Sequence, residues 1–187
     1  MGAWDWIRFV IYYVSFVAIL IGYTWTIVLF VTGNRYLRRL RDHPPGHEEE
    51  YLWVFLVPAL NEGVTIADSV ARLRAVEASH KVIVVINDGS DDDTGEVLDG
   101  IGGPDLEVLT RVPPNARTGK AAALNAAFDF VRRQILAKPA YTAFDTDHVI
   151  FGIVDADGRL SADAPTFVSR HFQDLDVGGV QVHVHIY

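Results

Sequence analysis

Asp155-Ala156-Asp157-Gly158 follows the apolar run Val149–Val154 without a break. Two carboxylates two residues apart, where a buried strand gives way to a turn, can point together into one small volume. Such charge at a strand end requires a partner or a cation. A hard divalent cation is one candidate, and a cation with open positions can hold a diphosphate. An Asx-type turn closed by glycine is the other candidate, and it needs no ligand. The tetrapeptide alone leaves both open.

A second acidic group lies in Asn87–Thr94, where Asp88, Asp91, Asp92 and Asp93 fall within six residues. Acids at the start of a following helix cap it and complement its dipole, which accounts for part of the set. Asp88 differs, because it precedes a glycine at a strand end and is placed to accept a hydrogen bond from a base or sugar. Lys120 follows Arg117-Thr118-Gly119 and opens a helix. A cation there opposes the dipole, so contact with a phosphate or a carboxylate accounts for it better than helix stability does. The Walker pattern would need glycine at 114 and Ser or Thr at 121, and the chain has Pro114 and Ala121. No Gly-x-Gly-x-x-Gly follows a strand, which counts against a dinucleotide-binding domain. His183 and His185 share one face of a terminal strand with no third ligand near them, and read as residues of a sheet face. His43 and His47 flank Pro44-Pro45-Gly46, which opposes a helix, and read as solvent-exposed.

The elements that must position these groups alternate. Tyr51–Val57, Lys81–Ile86, Asp105–Val112 and Val149–Val154 read as strands, and Val177–Tyr187 as a last strand with one apolar face. Val64–Ala78, a short segment to Asp99, Lys120–Lys138 and Ala162–Phe172 read as helices. Continuous Val/Ile runs between amphipathic helices indicate an α/β domain with a mostly parallel sheet covered on both faces. Ligands of such sheets bind beyond the carboxyl ends of the strands. Pro58–Gly63, Asn87–Thr94, Pro113–Lys120 and Asp155–Gly158 all follow strands, so one crevice can collect them.

Before this domain, Phe9–Val31 runs 23 residues without a charged side chain. As a helix it is roughly 34 Å long, against a bilayer core of about 30 Å. Trp4 and Trp6 stand at one border and Tyr36 beyond the other, as an aromatic belt would place them. Arg35, Arg38, Arg39 and Arg41 follow the span, whereas only Arg8 precedes it. The positive-inside bias then puts the N-terminus outside and the following domain in the cytoplasm, on a plasma-membrane protein with one span. Residues 1–41 read as the anchor with its basic flank, 42–50 as a linker and 51–187 as the folded domain. From Asp42 onward, 11 Lys and Arg stand against 23 Asp and Glu, a balance of −12 within a total of −8. A domain that acidic is a poor nucleic-acid binder, and phosphate must be met locally by a metal, a lysine or backbone N–H groups. With no cysteine, disulfides and thiolate metal sites are excluded.

Val57-Pro58-Ala59-Leu60-Asn61-Glu62, Val85–Thr94, Gly119-Lys120-Ala121-Ala122-Ala123-Leu124-Asn125 and Val154-Asp155-Ala156-Asp157 together resemble the family 2 glycosyltransferases of GT-A fold. The likeness is greatest to membrane-bound, processive-type members such as chitin, hyaluronan and cellulose synthases, and it runs from about Tyr51 onward. The resemblance implies an inverting transfer from a nucleotide-diphosphate sugar, commonly a UDP-sugar, to a glycan or lipid acceptor. It places Pro58, Ala59 and Glu62 beside the nucleoside, Asp88 on the base, and Lys120 near base or diphosphate. Asp155 and Asp157 become the ligand pair for Mg²⁺ or Mn²⁺, with Asp157 the direct ligand. Leu60 stands where the family often has an aromatic residue or histidine, and Asn87 where it often has aspartate. The acceptor-side general base of the family has no counterpart up to Tyr187, so the chain is expected to be the donor-binding half of a longer enzyme. A donor-binding fragment without transferase activity, and a GT-A-like nucleotidyltransferase, are the alternative expectations. The latter lacks its usual Gly-rich loop after the first strand.

Overall fold

A computed structural model describes residues 2–41 and 44–182. The chain divides into two compact units, Met1–Pro44 and Pro45–Tyr187.

The first unit is one helix, α1 (Ala3–Arg41), 39 residues long. It is long and apolar enough to cross a membrane, and its central side chains stand open, Phe9, Ile19 and Phe30 among them. The hydroxyls of Thr24, Thr26 and Thr32 donate to the carbonyls of Leu20, Gly22 and Val28, at 2.8, 2.9 and 2.7 Å. Each of these three hydroxyls is thereby satisfied within the helix, as a hydrocarbon environment demands.

The second unit is a four-stranded parallel sheet with helices on both faces. Its strands are β1 (Leu52–Ala59), β2 (Lys81–Asn87), β3 (Leu106–Thr110) and β4 (Val149–Ile153), in the spatial order β3-β2-β1-β4. β1 and β2 are buried on both faces, which is why they read as unbroken Val, Ile, Leu and Phe. Alternate side chains split between two cores. Trp53, Phe55, Val57, Ile83 and Val85 pack against α2 (Ile66–Arg74) and α3 (Thr94–Ile101). Leu52, Val54, Leu56, Val82, Val84 and Ile86 face α4 (Lys120–Phe130) and the π-helical turn Val131–Ile135 that continues it. α4 meets the sheet through Ala123 and Ala127, both buried, and their small size lets the helix axis come close. Gly152 serves the other face, since a Cβ there would lie 2.9 Å from the Phe55 ring.

The sequence reading and the structure differ at several element ends. The helix expected to reach Lys138 is α-helical only to Phe130 and π-helical to Ile135. The helix expected over Ala162–Phe172 is the shorter α5 (Ala164–Ser169), which has Pro165 in its first turn. The final strand expected over Val177–Tyr187 is not formed over 177–182, and Gly178-Gly179 in that stretch weakens strand propensity. Its remainder, with His183 and His185, lies outside the described residues, as does His43. The polar stretch before β1 is partly built into the domain. Gly46 N–H donates to the Thr166 carbonyl at 2.8 Å, and Glu48 accepts from Ser79 N–H at 2.9 Å. His47 is exposed beside Glu49.

Candidate functional site

The strand order reverses at β1, because β2 and β3 lie on one side of it and β4 on the other. In an open parallel sheet this opens a crevice at the carboxyl ends of the two strands that flank the reversal. The register aligns those ends: Ala59 is opposite Asn87, Leu56 opposite Ile153 and Asn87 opposite Thr110. One further ladder bond past the register fixes the next residue on each rim. Asp88 N–H donates to Ala59 at 2.9 Å, Arg111 N–H to Asn87 at 2.8 Å and Val154 N–H to Leu56 at 3.0 Å. Asp88, Arg111 and Asp155 therefore leave the sheet along one edge.

A crevice of about 410 Å³ lies there. Pro58, Ala59, Glu62, Asp88, Lys120, Asp155 and Asp157 all line it, so every site residue expected from the sequence faces one volume. Leu60 and Arg117 complete much of the remaining wall.

Asp155 to Gly158 form a backbone turn in which Gly158 N–H donates to the Asp155 carbonyl at 2.8 Å. The Asx turn considered from sequence is not what closes it, and neither carboxylate is used in the turn. Ala156 is buried, its carbonyl accepting from Ser69 Oγ of α2, which pins the turn between two exposed aspartates. The Asp155 carboxylate meets Lys120 Nζ, and the Asp157 side chain projects without a protein partner among the described residues. Two exposed hard oxygen donors, open on the crevice side, fit a divalent cation that completes its shell with diphosphate and water. They do not make a closed cage, and no group of three or more potential ligands occurs among the described residues.

The acidic loop does two jobs. Asp92 is structural: its carboxylate accepts from Thr94 N–H at 3.0 Å, from the Thr94 hydroxyl and from Gly63 N–H at 3.1 Å. These contacts hold its carboxyl below the usual carboxylate range, the Thr94 hydroxyl contributing most. Asp93 occupies the cap position of α3 without a side-chain bond to the helix. Asp91 pairs with Arg117 at 2.9 Å, and that guanidinium lowers its carboxyl. Asn61, in the left-handed region at φ 60°, accepts from Asp91 N–H at 3.0 Å, while its own N–H donates to Ser90 Oγ at 3.0 Å. Glu62 turns its carboxylate to the Thr65 hydroxyl at 2.6 Å. The first two strand-end loops are thus laced together.

Asp88 is buried, and Arg111, equally buried, donates through Nη1 to its Oδ1. The same oxygen accepts Arg117 N–H at 3.1 Å. Sequence reasoning singled out neither arginine. The available signal for Arg111 was a cation closing an apolar strand beside the strand that ends in Asp88.

The family described as Glycosyl transferase family 2 matches residues 54–187. The poly-β-1,6-N-acetyl-D-glucosamine synthase of Staphylococcus aureus strain COL is 32% identical over 127 residues, covering 67% of this chain and 27% of that protein. The synthase of the same name from Staphylococcus epidermidis is 28% identical over 142 residues, covering 68% and 33%. This chain therefore spans about a quarter to a third of the length of these curated relatives. Among solved structures, a mannosyltransferase from Pyrobaculum calidifontis in complex with GDP-mannose and Mn²⁺ aligns with a TM-score of 0.49 at 20% identity, over 74% of this chain and 39% of that one.

Proposed function

The chain belongs to glycosyl transferase family 2, and we propose that its crevice binds a nucleotide-diphosphate sugar, UDP-sugar by preference. In this reading it serves a membrane-bound enzyme that passes the sugar, with inversion, to a glycan or lipid acceptor. The observation that carries the reading is the convergence of Pro58, Ala59, Glu62, Asp88, Lys120, Asp155 and Asp157 on one crevice. These residues come from three strand ends and a helix start, and sequence reasoning had assigned them to one donor. The relatives that share the sequence are polysaccharide synthases by name, which supports a sugar-polymer context.

Each part of the donor has a counterpart in the crevice. The apolar wall of Pro58, Ala59 and Leu60 suits the flat nucleoside, with Asp88 as acceptor for a base N–H. Lys120 stands at the start of α4 as a point charge for a phosphate oxygen, within reach of Asp155. Asp155 and Asp157 would hold Mg²⁺ or Mn²⁺, which when bound neutralises the departing diphosphate as a Lewis acid. Lys120 adds positive charge on the same side and so stabilises the same leaving group.

The test is binding of a UDP-sugar with and without Mn²⁺, using Asp157→Asn as the control. The wild-type chain should bind the donor at least ten-fold more tightly with Mn²⁺, and the variant should lose most of that gain. Equal Mn²⁺ enhancement in both proteins, or none in either, would remove the metal assignment.

A further inference from the structure

We propose that Arg111 is a positioning residue for base recognition, setting which face of Asp88 the nucleotide meets. The inference rests on the reading that Asp88 accepts a hydrogen bond from the base. Arg111 closes β3 and is only 8% exposed, and Asp88 beside it is 7% exposed. A buried guanidinium with a single carboxylate partner needs its other donors satisfied as well. Arg111 Nη2 meets the Asn115 carbonyl and lies 3.1 Å from Thr118 Oγ1. Thr118 Oγ1 in turn donates to the Asn115 carbonyl at 2.9 Å. One buried side chain thereby ties Asp88 to the loop that carries Arg117, Gly119 and Lys120.

The distribution of bonds on Asp88 gives this arrangement a function beyond packing. Arg111 Nη1 and Arg117 N–H both fall on Oδ1. Oδ2 has no protein donor among the described residues, and Asp88 lines the crevice. A carboxylate held this way is a pure acceptor with one oxygen reserved for a ligand. A base that presents an N–H at that point, as uracil does at N3, is matched. Cytosine presents a lone pair at the same ring position and is opposed. Sites built around a buried polar group discriminate strongly against a ligand that leaves it unpaired. Without Arg111, Asp88 can rotate or be met by water, and the discrimination should fall even where the fold survives.

The experiment is titration of the detergent-solubilised chain with UDP and CDP in the presence of Mn²⁺, on wild type, Arg111→Met and Arg111→Lys. Wild type should prefer UDP by ten-fold or more. Arg111→Met should reduce that preference to within about three-fold, while Mn²⁺–pyrophosphate binds within about two-fold of wild type. Arg111→Lys, which keeps the charge and loses the fork, should fall between the two. Should Arg111→Met not fold, Arg111→Lys and Thr118→Val carry the same comparison, since Thr118→Val removes one anchor of Nη2. A wild-type preference that persists in folded Arg111 variants overturns the proposal and leaves the role of Asp88 standing. A parallel loss of pyrophosphate binding also overturns it, because the arginine would then serve the loop as a whole. No preference in the wild type overturns the base role of Asp88 and this proposal with it.

Discussion

Asp157 and Asp155 differ in what the protein does for them. Asp157 is exposed and carries its charge without a partner among the described residues, whereas Asp155 shares its charge with Lys120, itself about half exposed. Solvent screens a pair of that kind, so neither carboxylate contributes much to stability. Asp157→Asn and Asp155→Asn should each unfold in urea within about 0.5 kcal/mol of wild type. Gly89 contrasts with both. It sits at φ +77°, beside Asp88, and a Cβ there would lie 2.9 Å from the Ala116 Cβ. Gly89→Ala should destabilise by about 1–3 kcal/mol, from left-handed strain and crowding together, and should weaken UDP binding. Urea unfolding and UDP titration read the two effects, and a neutral Gly89→Ala would mean that this turn relaxes freely. The carboxylates were visible in the sequence because strand ends rarely carry paired charge. Lys120 was visible too, but Arg111 and the pairings were not, because the Lys120–Asp155 and Arg111–Asp88 pairs join different strand-end loops, and only the sheet register brings those loops together.

β1 and β2 were legible as elements because burial on both faces leaves an unbroken apolar signal. Helix ends were less so. Nothing in Val131–Ile135 announces a π-turn, and Pro165 marks the start of α5 without marking its early stop. α4 is the element on which the site depends most, since Lys120 opens it and Ala123 and Ala127 seat it on the sheet. Ala127→Leu should overpack that seat, destabilise by about 1–3 kcal/mol, and weaken UDP–Mn²⁺ binding by shifting Lys120. A folded Ala127→Leu variant with unchanged nucleotide affinity would separate the seat from the site. At the opposite end of the sheet, Thr146–His148 forms a 3₁₀ turn into β4. Asp145 accepts from His148 N–H at 3.2 Å and its carboxylate lies 2.6 Å from His148 Nδ1. Asp145 raises the His148 pKa through that bond, with smaller contributions from Asp147 and Glu50, and the imidazole lowers Asp145 in return. The raised histidine contributes stability that is fully present below its unfolded value, about 6.5, and lost as pH rises through its folded value. The lowered aspartate contributes above its unfolded value, about 3.9, and loses that as pH falls through its folded value. The window of full effect therefore runs from about pH 4 to 6.5. His148→Gln should be less stable than wild type at pH 5.5 and level with it by pH 9, as thermal melts would show; a gap of the same size at both pH values would mean that packing on Tyr51, not charge, is at work.

The chain as a whole joins an apolar helix to an acidic domain, and the order of charge along it bears on where each part lies. Arg35, Arg38, Arg39 and Arg41 follow the span and Arg8 alone precedes it. Basic residues next to a span are retained on the cytoplasmic side, where the surface is also anionic. This favours an N-terminus outside the cell and a domain inside it. The absence of cysteine makes the arrangement directly testable, because any engineered thiol is unique in the chain. Gly2→Cys marks the N-terminal border of α1, and Leu175→Cys marks the folded domain at a side chain 97% exposed, so a reagent that reaches that compartment will reach the thiol. On intact cells a membrane-impermeant maleimide should label Gly2→Cys and spare Leu175→Cys. After permeabilisation both should react, which shows that the spared thiol was shielded by the membrane and not by the protein. Labelling of Leu175→Cys on intact cells would place the acidic domain outside and invert the orientation that the arginines predict. Labelling of both on intact cells would mean that α1 does not span at all, and that its apolar side chains are covered in some other way.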